Sequence, residues 1–358
     1  SFNLQTKQII VVNKDEYVLQ NTNYPYEEPT NEQIAVWKNL FEQIFPDPEV
    51  RKCYLSVLFN GMTGIAVEKF FIANGGGRNG KGLINDNYAM MLGNDYYYKL
   101  PVDVLTSKSD LSKGASPQVA NMNNKRFVIS SEPEEGASLQ MGIVKELTGG
   151  GSINARQLYS SKTEVLLKQV QVLECNGKPK IKGKIGEAVG ERIVDIPFVS
   201  FFTADPDLWC NENNVYPINT GYKEINFKTT HRSALFKYIL MNAPTDIYIP
   251  KCILDRTNQY LMSSDEIYMW FSDHFQQTND PNDILKIKDV YEAFTKSDIY
   301  LDMDKATKRK HNKTGFIEYI SSSISFRGKY MNDKKKINDI TYGERIIMFK
   351  IKEPVMEI

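Results

Sequence analysis

The sequence predicts an α/β fold, preceded by a small helical unit and followed by a winged-helix-like C-terminal domain. Three patterns point to it. Between residues 67 and 205 the short apolar runs KFFIA, RFVIS, VQVLE and RIVDIPF alternate with helical stretches, the signature of strands layered with helices. Ahead of them Ile34, Trp37, Leu40, Phe41 and Ile44 recur at helical spacing. Behind them the helix-like segments DEIYMWFSDHF, IKDVYEAF and TGFIEYISSSI precede two strand-like runs around a Tyr342-Gly343 turn. Three helices and then a β-hairpin is the order of a winged helix.

Taken in order, residues 1–29 hold one strand-like run, IIVV followed by YVL, and then the turn-rich linker NTNYPYEEPT. Thr30-Asn31-Glu32 caps the first helix. A second helix runs from Pro48 to about Gly61, so residues 30–66 form the helical unit. The α/β core spans 67–245, with a helix near Ser233–Met241 and the Pro-containing stretch TDIYIPKCIL at its end. Residues 265–358 form the winged unit.

Composition narrows the class. The 358 residues are 41% hydrophobic and 25% charged, ordinary for a globular protein with a sizeable core. Basic and acidic residues number 44 each, so any basic surface for nucleic acid is local. Cys53, Cys175, Cys210 and Cys252 show no CxxC spacing and read as free thiols of a reducing compartment. Three histidines are too few and too scattered for a zinc site. No apolar run approaches the roughly 20 residues of a membrane span, and no signal peptide opens the chain. The first residue is Ser1, not methionine, which suggests a piece of a longer protein.

The strongest chemical signal is FFIANGGGRNGKG, Phe70–Gly82. An apolar strand runs into Gly75, Gly76, Gly77, Arg78, Asn79, Gly80, Lys81 and Gly82, and a helix-like segment follows. Glycines let the backbone curl so that its amides face phosphate oxygens, and the lysine reaches the β and γ phosphates. The helix adds the positive end of its dipole. A glycine-rich surface turn could hold the same residues, but would not need strand and helix on either side. The usual Ser/Thr after the lysine is Gly82, which removes a hydroxyl ligand for magnesium.

The next strand, Lys125 to Ser131, ends at Glu132, with Glu134 and Glu135 beyond. A carboxylate at a buried strand tip beside such a loop can hold the magnesium shell or polarise the attacking water. Glu132 is the candidate, and Ser131 stands where many NTPases carry the metal-binding aspartate. A third strand, Val170–Glu174, ends at Cys175-Asn176. An asparagine there can reach the γ-phosphate, although Asn-Gly alone is simply a turn. Arg192 precedes IVDIPF and suits either insertion into a neighbouring subunit's site or a surface salt bridge. Between these motifs lies a helix, a glycine break, a strand through Ile153–Leu158, a polar turn at Ser160–Thr163 and a return strand. Lys162 at that tip suits a pore loop that grips phosphates, or is a lysine on an exposed hairpin. KATKRKHNKTGF and a later KKK give the winged unit a basic face, unless these runs are only solvated.

The order NGKG, VISSEPEEG, KELTGG-SINARQLY, ECN and ERIVDIPF resembles the superfamily 3 helicase domain of viral primase-helicases. It is most similar to the poxvirus nucleoside triphosphatase type, also seen in other large DNA viruses and phages. The resemblance covers residues 30–205 and extends more weakly over the C-terminus. It implies an AAA+ P-loop NTPase core in a hexameric homo-oligomeric ring that hydrolyses ATP with Mg²⁺ and translocates on single-stranded DNA during DNA replication. Lys81 would be the phosphate lysine, Glu132 the acidic catalytic and metal residue, Asn176 the sensor and Arg192 the finger in the neighbouring subunit. Lys162 would grip DNA. A cytoplasmic setting, in the host cytoplasm or at a viral replication site, goes with it. A primase domain commonly precedes such a helicase, and none fits here, so the chain reads as the helicase portion. Gly82 and Ser131 depart from the pattern and leave metal coordination open. The competing readings are another P-loop enzyme, such as a packaging ATPase or small-molecule kinase, and an ATP-binding scaffold of a replication complex.

Overall fold

The computed structural model describes residues 1–352, apart from 13, 14, 16, 17, 108–115, 156–162, 183, 184, 338 and 339. The chain divides into two compact units, one of Ser1–Lys180 with Arg192–Thr257 and one of Ile181–Glu191 with Asn258–Ile358.

The first unit is built on a parallel sheet. Its strands are β1 (Phe70–Asn74), β2 (Tyr97–Lys99), β3 (Phe127–Ser131), β4 (Val170–Cys175) and β5 (Ile193–Pro197), in the order β5-β1-β4-β3-β2. Every residue of β1 is buried, and so are all of β4 except Glu174. Strands covered on both faces read as unbroken apolar runs, which is why FFIAN and VQVL were visible in the sequence. The register sets Asn74 beside Cys175 and Pro197, and Ser131 beside Glu174. The carboxyl ends of four strands are therefore level, where parallel α/β sheets hold their ligands. Strand β2, the edge Tyr97-Tyr98-Lys99 paired to β3, was not expected from the sequence.

Helices α1 (Asn31–Ile44) and α2 (Pro48–Thr63) share their core with the sheet. Thr30 and Gln33 form a capping box at the start of α1, and Asp47 caps α2 with Pro48 at its first position. The apolar stripe of α1 buries Trp37, Leu40, Phe41 and Ile44. Its Phe41 ring lies 5.1 Å from Tyr238 on α4 (Arg232–Asn242). Helix α3 (Lys81–Leu92) follows the glycine-rich loop. Beyond α3 a short antiparallel hairpin pairs Ser152–Ala155 with Thr163–Leu166, Ile153 opposite Val165. The rest of the strand expected through Leu158, and Lys162 itself, lie outside the described residues.

The second unit has its own core of Trp270, Phe271, Phe294, Phe316, Phe326 and Ile346. Helices Glu266–His274, Ile287–Thr295 and Lys313–Ser322 match the three helix-like segments. The expected hairpin about Tyr342-Gly343 is not formed. Ile340–Tyr342 pairs backwards with Lys335–Ile337, whereas Arg345–Ile347 pairs with Ile284–Lys286 and Tyr330–Met331. The cause is burial: Ile346, fully buried, sits opposite Leu285 and Tyr330, whereas the preceding strand Ile340–Tyr342 is not buried and offers no such partner. No described helix is long and apolar enough to cross a membrane.

Candidate functional site

Loop 75–80 leaves β1 and returns as α3, and its shape is fixed by backbone anchors. Gly75 N–H donates to Cys175 O at 3.3 Å, Phe198 N–H to Asn74 O at 2.7 Å and Phe202 N–H to Arg78 O at 2.8 Å. Two positions require glycine. A Cβ on Gly75 would lie 2.2 Å from Phe198 O. Gly80, the residue before α3, has φ 89° and faces Ile44 at 2.6 Å from an added Cβ. Gly76 and Gly77 meet nothing within 4 Å, so their outer side is open.

Lys81 is buried, with 7% of its surface exposed. Its Nζ donates to Gly75 O at 2.5 Å and to Asn176 Oδ1 at 3.3 Å. Burial lowers its pKa, while Cys175, Glu174 and Glu132 nearby act the other way. Asn79 braces the loop from within, accepting from Lys81 N–H at 3.3 Å and donating to Gly76 O. Glu132 turns off the end of β3 with φ 54°, a left-handed conformation that non-glycine residues hold mainly where the surroundings impose it. Its N–H donates to Glu174 O at 2.9 Å. Lys81, Glu132 and Asn176 thus meet from β1–α3, β3 and β4.

These residues line one cleft of about 340 Å³, within the range of small-molecule sites. Its apolar wall comes from Leu40, Phe202, Pro217, Ile218 and Tyr222, a surface suited to a flat ring. Sequence reasoning did not find this wall, because the residues come from α1 and from segments after β5. Glu134 and Glu135, the less favoured acids, are exposed and not among the residues lining the cleft.

Glu174 was also missed. Its Oε1 accepts from Asn85 Nδ2 and its Oε2 from Ser131 Oγ at 3.1 Å. Asn85 lies one turn along α3 from Lys81 and accepts from the buried Tyr54 hydroxyl at 3.3 Å. Burial pushes the Glu174 pKa up, and the Asn85 and Ser131 hydrogen bonds with the charge of Lys81 pull it back. The available signal was a single acid inside the apolar run VQVLEC. Burial also pushes the neighbouring Cys175 thiol up to about 12, and all four cysteines are free.

Arg192 stands elsewhere. It precedes β5, whose first residue Ile193 pairs with Phe70, the first residue of β1. The cleft lies at the other end of the sheet, about 16 Å away over five residues of strand, beyond the reach of an arginine side chain. Arg192 Nη2 pairs with Glu68 Oε2 at 3.2 Å. Among the described residues no group of three or more His, Cys, Asp or Glu could by itself hold a metal ion.

No family model matches the chain. Several viral relatives bear the provisional name of helicase. L207/L206 of Acanthamoeba polyphaga mimivirus is 26% identical over 290 residues, covering 78% of this chain and 30% of that protein. Protein 022R of Frog virus 3 (isolate Goorha) is 28% identical over 273 residues, covering 71% and 27%. The provisionally named primase C962R of African swine fever virus (isolate Tick/Malawi/Lil 20-1/1983) is 24% identical over 160 residues, covering 44% and 17%. Among solved structures, the apo C-terminal region of NrS-1 (305-718) has a TM-score of 0.46 at 13% identity, covering 91% of this chain and 77% of that one. The chain spans less than a third of the length of L207/L206 and of 022R, and it is similar in sequence to proteins of large DNA viruses provisionally named as helicases and primases.

Proposed function

We propose that this chain is the ATP-hydrolysing motor of a viral replicative DNA helicase, an AAA+ domain of the superfamily 3 type acting as a hexameric ring on single-stranded DNA. One observation carries the reading. A glycine loop opens α3 and presents a buried lysine, Lys81, to Asn176, with Glu132 on the same cleft. The open space beside Gly76 and Gly77, where an added Cβ meets nothing within 4 Å, and the amino end of α3 suit phosphates. The apolar wall suits the base, and the sequence similarity to helicase-named viral proteins fits the same class.

In that role Lys81 neutralises phosphate charge, Glu132 orients and polarises the attacking water, and Asn176 holds Lys81 and senses the γ-phosphate. Mg²⁺, when bound, supplies further neutralisation of the phosphates. The site fits it, since Gly82 leaves space where an added Cβ would meet nothing within 4 Å and carboxylates face the cleft. Arg192, out of reach of its own cleft, would act on a neighbouring subunit. The second unit, in which helices Glu266–His274, Ile287–Thr295 and Lys313–Ser322 accompany a three-stranded sheet, would be a winged helix whose Lys308, Arg309 and Lys310, on helix Lys305–Lys310, touch the phosphate backbone. A primase would be its partner, in the same polypeptide or beside it.

Gly82 and Ser131 favour the second reading, an ATP-binding scaffold without turnover. Steady-state ATP hydrolysis with and without single-stranded DNA separates them. Turnover stimulated by DNA is the expected result. Turnover indifferent to DNA would indicate another P-loop enzyme, and binding without turnover a scaffold.

A further inference from the structure

We propose that Glu174 is the carboxylate through which this site holds Mg²⁺, in the role that position 131 has given up. The inference rests on the nucleotide-site reading above and concerns how that site completes itself. Strand β3 carries Ser131 where a metal-binding acid is expected, and Ser131 does not face the cleft as an independent ligand. It donates to Glu174 Oε2 at 3.1 Å from the neighbouring strand. The register explains the exchange, because Ser131 and Glu174 are direct partners across β3 and β4. A carboxylate moved one strand over occupies the same tip of the sheet.

Three further observations bear on it. Glu174 lines the cleft with Lys81 and Glu132, but Lys81 directs its ammonium to Gly75 O and Asn176 Oδ1 and forms no ion pair with Glu174 among the described residues. A partly buried carboxylate without a direct cation is costly to keep ionised, and a divalent ion opposite it removes that cost. Second, the carboxylate is aimed in advance. Tyr54 orients the Asn85 amide, Asn85 takes Oε1 and Ser131 takes Oε2, leaving each oxygen a further lone pair. Partners of this kind orient metal ligands elsewhere. Third, the lost hydroxyl at Gly82 leaves open space, and Mg²⁺ commonly keeps several waters and takes only one or two carboxylates beside the phosphates. Glu132, exposed at the rim, is then left to work on water.

The test is equilibrium binding of ATPγS to the full chain by calorimetry, in Mg²⁺ and in EDTA. Wild type should bind more tightly with Mg²⁺. Glu174→Gln should lose about tenfold or more of that enhancement without weakening in EDTA, where removing its charge lessens repulsion of the phosphates. Adding Ser131→Asp to Glu174→Gln should restore the enhancement, because a carboxylate returns to the same strand tips. An undiminished Mg²⁺ effect in Glu174→Gln, or an equal loss in Mg²⁺ and EDTA, overturns the assignment and makes Glu174 structural. If Glu174→Gln does not fold, Glu174→Asp keeps the charge but withdraws it by one methylene. It should show the same selective loss, and a wild-type response there overturns the assignment too. Failure of wild type to bind ATPγS in either buffer is a separate outcome, which overturns the nucleotide site itself.

Discussion

The Lys81 ammonium is held by Gly75 O and Asn176 Oδ1. Under the proposed function a phosphate would meet an oriented and largely buried lysine, conditions under which an electrostatic contact is strong. Lys81→Ala should abolish ATP hydrolysis and leave the circular dichroism spectrum and melting temperature close to wild type, because the side chain ends at an open cleft. Turnover near wild type in that variant would remove the phosphate-binding role. Glu132→Gln should bind ATP and hydrolyse it slowly by steady-state assay; unchanged turnover would dismiss Glu132 as the acid that works on water. Lys81, Glu132 and Asn176 were readable as candidates because Lys81 closes a glycine-rich loop between strand and helix, while Glu132 and Asn176 directly follow apolar runs, and each of these is a local pattern. Glu174 was not. Its meaning lies in the register of β3 against β4 and in Asn85 on α3, a relation among three separated segments. Arg192 was legible as a residue beside a strand, but only the parallel pairing of Ile193 with Phe70 puts it at the far end of the sheet.

At the scale of elements, the sheet is held by two features that look unfavourable in isolation. Gly61 sits inside α2, where glycine weakens a helix by about 1 kcal/mol relative to alanine. Here it lets α2 approach the sheet, since an added Cβ would lie 2.6 Å from the Phe127 ring and 2.7 Å from the Tyr88 hydroxyl. Gly61→Ala should thus destabilise by about 1–3 kcal/mol in urea unfolding through overpacking, reversing the sign that helix propensity gives. A gain in stability would mean that α2 does not pack this closely. The fully buried Asp195 on β5 is met by Lys178 Nζ at 3.0 Å and Arg256 Nε at 2.9 Å, and its N–H donates to Thr257 Oγ1 at 3.0 Å. The apolar strands and capped helices were readable from period and caps. The three-residue β2 and the pairing of Arg345–Ile347 were not, because both depend on which distant strand offers a partner, and short strands carry little periodicity of their own.

At the scale of the whole molecule, the proposed function requires ATP sites completed between subunits. The separation inside one chain motivates it: the cleft at Lys81 lies at the carboxyl ends of the strands and Arg192 at the amino end of β5, bonded to Glu68. A positive charge delivered to the γ-phosphate in trans is worth a factor of about 10³ or more in rate. The most direct measurement is ATP turnover in mixtures of Arg192→Ala and Lys81→Ala proteins on single-stranded DNA, with co-assembly verified by sedimentation. Each variant alone should be nearly inactive. Mixtures should recover hydrolysis across a range of ratios, because an intact Arg192 from one variant can face an intact Lys81 site in the other. Two inactive variants that co-assemble and show no recovery at any ratio would contradict the claim and leave Arg192 as the structural partner of Glu68.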